Sequence, residues 1–501
     1  MGCSSMAEQT YSIAKLMEGS GVAFGTSGAR GLVAAMTDRI CFAYVLAFLR
    51  HAARQGEFGA GRPVALAGDL RPSTPRILTA CAAAVQSLGG TPIFCGFVPS
   101  PAVALYAFAN AMPSMMVTGS HIPDDRNGIK FNRAATELLK PDEAAMRTDF
   151  VTLDDALFDA EGMLRHAFPL GDPVDVESAY VERYLAFFGA DALKGMKLGL
   201  YQHSAVGRDI LLRLLEALGA QVTPFGRSDR FIPVDTEAVR EEDRALARQA
   251  AREHGFDAIL STDGDSDRPL LADEQGEWLR GDVLGILCGR AIGATHVVTP
   301  VSSNSALEKS GWFSETVRTR IGSPFVIEAM DAVRAEGRIA CGYEANGGFL
   351  LGTDIMNAAG RTLGRLPTRD AVLPMLATLV LAREAGMSLR ALVATLPPRY
   401  TYSDRLKAFP SETSRQRLDQ LRQGSVRDQL ARLSAMFEGI SGTAVDINDV
   451  DGLRTSFANE EVVHLRPSGN APELRCYTEA DTPERAHEMA EATLALLEGW
   501  R

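Results

Sequence analysis

The sequence predicts an α/β protein in which three similar domains on mixed, mostly parallel sheets precede a smaller C-terminal α+β domain. Three observations carry this expectation. From residue 38, apolar strands alternate with helices at the spacing of βαβ units. The pattern Leu88-Gly89-Gly90-Thr91-Pro92-Ile93-Phe94 is echoed by Leu218-Gly219-Ala220-Gln221-Val222-Thr223-Pro224-Phe225, the mark of a repeated unit. From about residue 400 the rhythm changes to short strands and charged or amphipathic helices. A chain of 501 residues is also too long for one hydrophobic core.

Taken in order, residues 1–20 read as a short arm and 21–165 as the first domain. Within it Ile40 to His51 and Ile77 to Leu88 are expected helices, Val64 to Asp69 and Pro92 to Phe94 strands. A helix over Ala102 to Ala111 then leads to the strand Met115-Met116-Val117. The second domain, 166–280, repeats this with a strand at Lys197 to Tyr201 and a helix at Asp209 to Leu218. The third, 281–395, has a strand at Thr295 to Pro300, a helix after Ser302-Ser303-Asn304 and a long apolar helix over 369–387. The fourth, 396–501, has one charged helix over 412–437 and an amphipathic closing helix over 482–499.

Composition narrows the partners. The chain is 46% hydrophobic and 23% charged, with a formal net charge of −12, which disfavours nucleic acid and anionic membranes. Basic groups that meet an anionic substrate must therefore be gathered locally. The seven cysteines (3, 41, 81, 95, 288, 341 and 476) form no CxxC pair, which suits a reducing cytosol and offers no metal cage. No run approaches a membrane span and the first twenty residues lack a signal-peptide core, so a cytoplasmic protein is expected.

The chemistry lies in loops at strand ends, where open α/β sheets bind ligands. Val117-Thr118-Gly119-Ser120-His121-Ile122-Pro123 breaks an apolar strand into a polar turn, with Asp124, Asp125, Arg126 and Lys130 in the turn that follows. Ser120 there can be a nucleophile, a phosphate carrier or a turn residue. Phe24-Gly25-Thr26-Ser27-Gly28-Ala29-Arg30-Gly31 can fold around an anion with Arg30 as the forked donor.

The strand Ala258-Ile259-Leu260 runs into Ser261-Thr262-Asp263-Gly264-Asp265-Ser266-Asp267-Arg268. Carboxylates on alternate residues suit one hard divalent cation; the spacing is not that of an EF-hand, and Mg²⁺ held by so short a loop needs a further oxygen such as a phosphate's. Glu344 and Asn346, in Gly342-Tyr343-Glu344-Ala345-Asn346-Gly347-Gly348-Phe349, can take paired sugar hydroxyls as acceptor and donor. Leu465-Arg466-Pro467-Ser468-Gly469-Asn470-Ala471-Pro472, with Arg475 beyond, holds the parts of a phosphate grip. A hydroxyl with basic neighbours, a metal site, a polyol reader and a phosphate clamp together describe phosphoryl transfer on a phosphorylated polyol.

These loops, in this order, resemble those of the α-D-phosphohexomutases, most closely the bacterial phosphomannomutase/phosphoglucomutase branch, over roughly 21–495. Thr118 to Pro123 is similar to that family's active-serine loop T-[AG]-S-H-N-P and Asp263 to Arg268 to its metal loop. Glu344-Ala345-Asn346-Gly347 stands at the sugar-loop position and Arg466-Pro467-Ser468-Gly469-Asn470 at the phosphate-loop position. The resemblance implies a heart-shaped molecule with four domains around a central cleft.

It implies further that Ser120 is a phosphoserine, with one Mg²⁺ held by Asp263, Asp265, Asp267 and the serine's phosphate. Lys130 falls at the family's general acid/base position; Arg30, His121 and Arg268 match other catalytic positions. Glu344, Asn346, Arg466, Ser468, Gly469, Asn470 and Arg475 would bind substrate. The implied reaction interconverts hexose 1- and 6-phosphates, of mannose or glucose, through a sugar 1,6-bisphosphate that also acts as activator. Partners would be small hexose phosphates, with no nucleic acid or membrane, on a monomer or dimer.

The chain departs from the family pattern at Asn346, where Ser is common, at Gly348, where His is usual, and at Asn470-Ala471, which replace Thr-Glu. The alternatives are a phosphoglucosamine mutase and a non-catalytic relative that binds sugar phosphates. A substrate that turns round in the site calls for a last domain that moves on a hinge near 385–405.

Overall fold

The computed structural model describes residues 8–25, 28–468 and 472–501. Two compact units divide the chain. One runs to Ala294 and adds Gly322–Ala391; the other joins Thr295–Ile321 to Leu392–Arg501.

In the first unit, a six-stranded mixed sheet has the order Ala23–Phe24, Ala29–Leu32, Arg126–Asn132, Ser114–Val117, Pro63–Gly68, Thr91–Phe97. The last three strands are parallel; the others run antiparallel to their neighbours. Helices Asp38–Arg54, Thr74–Ser87 and Ser100–Ala109 are the crossovers, and a core that includes Phe42, Phe48, Leu66, Ile77 and Val117 lies between layers. The strand Ser114–Val117 is buried at every residue, which accounts for the apolar run Met115-Met116-Val117.

A second, four-stranded sheet repeats the plan in the order Gln221–Arg227, Lys197–His203, Ala258–Thr262, Pro269–Ala272. Ala340–Tyr343, Phe349–Leu351 and Leu366–Asp370 form an antiparallel meander. Three times, then, a buried strand (Ser114–Val117, Ala258–Thr262, Ala340–Tyr343) ends in a polar loop and the chain returns antiparallel beside it. That device presents each loop from a rigid sheet end, where the register of two strands limits its motion.

The second unit holds the parallel pair His296–Pro300 and Glu315–Thr319. It also holds an antiparallel sheet in the order Tyr400–Leu406, Leu474–Ala480, Val462–Pro467, Leu453–Phe457, Ala444–Asn448. The closing helix Pro483–Glu498 lies against this sheet and buries Met489 and Leu497 in its core.

Four sequence expectations are corrected. Lys130 is not in a turn: it lies on the strand Arg126–Asn132, opposite Met116. The helix expected over 369–387 is Val372–Glu384, because 369–370 end the strand Leu366–Asp370. The helix expected over 412–437 is two, Ser411–Leu421 and Val426–Met436; the chain breaks at Gly424-Ser425, and Ser425 caps the second helix with Asp428. The arm is structured over 8–20: the strand Glu8–Ser12 pairs with Phe150–Asp154, and the helix Ile13–Ser20 follows. Among the described residues, six cysteines are buried and free, and no helix is long and apolar enough to cross a membrane.

Candidate active site

The serine loop is built around a buried arginine. Arg71, 1% exposed, donates from its guanidinium to the carbonyls of Ser120 (2.9 Å), Ile122 (2.6 Å), Pro123 (2.8 Å) and Arg126 (3.1 Å). Asp69 balances its charge at 3.1 Å, and the ring of Phe231 lies 4.0 Å from the guanidinium carbon. Asp69 also accepts from Thr118 Oγ1 (2.6 Å), which in turn accepts from the Ser120 N–H (2.8 Å). Residue 119 has to be glycine, since a Cβ there would lie 2.7 Å from Arg71 Cζ.

So held, Ser120 adopts φ +57°, a left-handed conformation that costs a non-glycine residue about 1 kcal/mol or more. The strain turns its side chain toward the metal loop: Ser120 Oγ donates to Asp263 Oδ2 at 2.6 Å.

Asp263, Asp265 and Asp267 are all buried, and their oxygens converge to within 4.8 Å of one another. Burial, with Asp265 and Asp267 close by, pushes the Asp263 carboxyl well above the usual range. Burial opposes charge on Asp265 too, but Lys130 and the Ser100 hydroxyl outweigh it and hold that carboxyl below the usual range. Lys130 Nζ donates to Asp265 Oδ2 and Asp267 Oδ2, each at 2.5 Å, and Ser100 Oγ to Asp265 Oδ2 at 2.5 Å. The other oxygens of these two residues, Asp265 Oδ1 and Asp267 Oδ1, are buried without a hydrogen-bond partner. Hard oxygen donors, mutual repulsion and two orphaned oxygens together fit a divalent cation.

Arg268 joins the two loops, with Nη1 2.9 Å from His121 Nδ1. That nitrogen accepts from a cation, so the ring proton belongs on Nε2. Burial, then Arg268 and Arg30, lowers the His121 pKa to about 2, and the imidazole is neutral near pH 7. His121 Nδ1 is also 3.4 Å from Ser120 Oγ. Arg30 lies opposite Gly128; burial and the nearby Arg268 and Arg369 lower its pKa to about 10. Ser120, His121, Lys130, Arg268 and the three aspartates are thus in one contact network, and the charges of Asp265, Asp267 and Arg268 reach Arg30.

In the loop after Tyr343, Glu344 Oε2 lies 3.4 Å from Arg369 Nη1, and Asn346 Oδ1 accepts from the Gly348 N–H at 2.9 Å. Burial raises the Glu344 pKa, with Arg369 and Arg268 opposing. The amide of Asn346 therefore closes its own loop on its oxygen side.

The remaining expected residues belong to the second unit. Arg466 Nε donates to Asp451 Oδ1 (2.8 Å), and the Ser468 N–H to the Glu473 carbonyl (2.9 Å). Arg475 stands opposite Arg466 on one side and Arg405 on the other, so three guanidiniums share a row across neighbouring strands. Gly469 and Asn470 lie outside the described residues, as do Thr26 and Ser27 of the first glycine-rich loop.

Sequence reasoning missed Arg71, Ser100, Arg369 and Arg405. For Arg71 one signal was available, a charged pair just after a buried strand in Gly68-Asp69-Leu70-Arg71. The others carry no local pattern.

Four family models match the chain in order. They are phosphoglucomutase/phosphomannomutase alpha/beta/alpha domain I over 21–155, domain II over 178–276, domain III over 280–400 and the C-terminal domain over 417–496. The phosphomannomutase of Salmonella muenchen is 43% identical over 486 residues, 97% of either chain. The chain belongs to the phosphoglucomutase/phosphomannomutase family. The phosphomannomutase of Sinorhizobium fredii is 42% identical over 480 residues, 95% of this chain and 99% of its own. A crystal structure of a putative phosphomannomutase from Thermus thermophilus has the same fold, with a TM-score of 0.73 at 20% identity over 95% of this chain and 99% of that one. This phosphohexomutase thus has the four-domain α/β architecture of its family.

Proposed function

We propose that this phosphohexomutase interconverts hexose 1-phosphate and 6-phosphate, with mannose the preferred sugar and glucose a second substrate. Ser120 carries the phosphoryl group. The observation that carries this reading is the 2.6 Å contact of Ser120 Oγ with a buried cluster of three carboxylates, ringed by Lys130, Arg268 and the neutral His121. The names of the two closely related phosphomannomutases support mannose.

Asp263, Asp265 and Asp267 would hold one Mg²⁺. When bound, it supplies positive charge that offsets charge on the transferred phosphoryl oxygens. Lys130 Nζ, which donates to Asp265 Oδ2 and Asp267 Oδ2, would act on the sugar hydroxyl. In the first half-reaction the Oγ–phosphorus bond of phosphoserine breaks and a bond forms between that phosphorus and a free sugar hydroxyl oxygen. Lys130 acts as the general base toward the hydroxyl proton. The leaving Ser120 Oγ takes up the proton removed from the sugar, and the products are a sugar 1,6-bisphosphate and a free serine hydroxyl. After the sugar turns round, Ser120 Oγ gives up its proton and bonds to the other phosphorus, that phosphorus's bond to the sugar oxygen breaks, and the proton goes to the oxygen so released.

Arg268 and Arg30 stabilise the phosphoryl oxygens; Glu344 and Asn346 read the sugar; Arg466, Ser468, Gly469, Asn470 and Arg475 hold the remote phosphate. The hinge stays at 385–405, an interval that contains the boundary between compact units at Ala391.

The test is a turnover panel with mannose, glucose and glucosamine 1-phosphates, each with its 1,6-bisphosphate as activator, beside intact-mass measurement of Ser120→Ala. Mannose 1-phosphate should turn over fastest, and the variant should lose one phosphate of mass together with all measurable activity. Wild-type turnover by Ser120→Ala would refute the covalent route; preference for glucosamine phosphate would reassign the sugar.

A further inference from the structure

Arg369 is a guanidinium sealed at 1% exposure between the metal loop and the sugar loop. Its backbone is fixed from both sides. Glu137 accepts from Thr368 Oγ1 (2.8 Å), Ser323 Oγ (2.6 Å) and the Arg369 N–H (3.4 Å). The next residue, Asp370, accepts from the hydroxyls of Tyr180 (2.6 Å) and Tyr184 and caps the following helix through the Val372 N–H (2.9 Å). A side chain anchored this firmly is ordinarily well satisfied. This one is not. Nη1 makes a single long bond to Glu344 Oε2 (3.4 Å), and Nε, ion-paired with Asp267 Oδ2 at 3.3 Å, is buried without a hydrogen bond. A buried donor that makes no hydrogen bond is costly even beside a carboxylate, so a hydrogen-bond acceptor from outside the chain suits it.

The space it fills is vacated by Gly348. A Cβ there would lie 2.7 Å from both Cδ and Cγ of Arg369, so either residue 348 carries a side chain or Arg369 keeps its position. Gly348 follows Asn346 in the same loop, and its N–H closes that loop on Asn346 Oδ1. Positions 348 and 369, far apart in sequence, therefore compete for one volume beside Glu344.

Building on the function proposed above, we propose that Arg369, admitted by Gly348, is a specificity-determining substrate contact: it donates to a ring hydroxyl of the bound hexose phosphate while Glu344 accepts from a neighbouring one. A carboxylate and a guanidinium in contact offer an acceptor and a donor to adjacent hydroxyls, and their mutual pairing fixes the spacing between them.

The test uses full-length protein in a Ser120→Ala background, where binding proceeds without turnover, with mannose 1-phosphate and inorganic phosphate as calorimetric probes. Arg369→Ala should weaken mannose 1-phosphate binding roughly 10- to 100-fold, the range for a hydrogen bond from a charged donor, and leave phosphate binding within about twofold. Gly348→Ala should cause a comparable loss by displacing Arg369, and the double variant should bind no worse than Arg369→Ala alone. Arg369→Lys, which keeps the charge but not the fork, should fall between parent and Arg369→Ala.

Equal binding by parent and folded Arg369→Ala overturns the inference. So does an equal loss for inorganic phosphate, which would make Arg369 a phosphate contact, and so does full additivity of the two substitutions. Should Arg369→Ala fail to fold, Gly348→Ala decides: unchanged affinity overturns the proposal. A parent that binds no hexose phosphate overturns the proposed function as well, whereas a parent that binds beside an equally competent Arg369→Ala overturns only this inference.

Discussion

The serine and metal loops differ sharply from the arginine row of the C-terminal sheet, although both handle phosphate in the proposed reaction. Ser120, Lys130 and the three aspartates are buried, and their side chains meet buried charges, hydroxyls and backbone N–H groups. Arg466, Arg475 and Arg405 lie on one sheet face with side chains 18%, 35% and 49% exposed, with Asp451 beside Arg466 and Glu473 beside the other two. A transfer centre gains from donors that need no rearrangement when charge develops. A grip that must release its phosphate gains from solvated pairs that exchange a carboxylate for a phosphate at small cost. The contrast is between preorganisation and exchangeability.

Removing a metal ligand should break the buried side most severely. Asp265→Asn should cut turnover roughly a thousandfold. Calorimetry should show weakened Mg²⁺ binding in a folded protein, and excess chelator should abolish wild-type activity. Retained turnover in chelator would count against the cluster as a metal site.

Arg71→Ala attacks the scaffold rather than the chemistry. It leaves Asp69 buried and uncompensated and frees four carbonyls of the serine loop, so a loss of about 3–5 kcal/mol in denaturant unfolding is expected. Activity at a temperature where the variant is folded should drop roughly a hundredfold, in kcat more than in KM.

Acid sharpens the comparison because a buried histidine sits in each unit. His203 and His464 offer Nε2 to the carbonyls of Thr262 (2.8 Å) and Asp451 (2.6 Å), and Nδ1 of each is buried without a partner. Burial lowers both pKa values to about 4 from 6.5. The unfolded chain takes up the proton first, so each histidine contributes stability that is present above pH 6.5 and lost as pH falls toward 4. The full contribution is about 3 kcal/mol each. Unfolding midpoints measured from pH 8 to 4 should decline less steeply in His203→Gln or His464→Gln than in the parent; parallel curves would exclude the linkage.

On the exchangeable side effects should be smaller and confined to binding. Arg466→Ala should raise KM for mannose 1-phosphate roughly tenfold, through loss of a charged donor, with unfolding unchanged within about 0.5 kcal/mol. Arg405→Ala, at the exposed end of the row, should raise KM only about twofold. An Arg405 effect as large as that of Arg466 would make the row a single cooperative site.

Much of this site was legible in the chain because its loops follow buried strands. An apolar run that stops at Thr118-Gly119-Ser120, or at Ser261-Thr262-Asp263, announces where polar groups leave the sheet, and alternate aspartates announce a hard cation. Lys130 reads from the sequence as part of the turn after Ser120, and its strand is evident only beside Ser114–Val117. The charged stretch 412–437 reads as one helix, whereas the cap at Ser425 decides for two.

By itself, then, the sequence determined which strands are buried, which loops leave them, and which hydroxyl, carboxylates and arginines those loops carry, since hydrophobic period and local turn chemistry act within a few residues. Only the tertiary structure decided that Arg71 holds the serine loop, that Ser100 meets Asp265, and that Gly348 leaves room for Arg369. Each of these joins positions well separated along the chain, through a hydrogen bond or a shared volume. Such contacts depend on which strand ends the fold brings together, within one sheet or between two, and no local pattern of side chains encodes that distance.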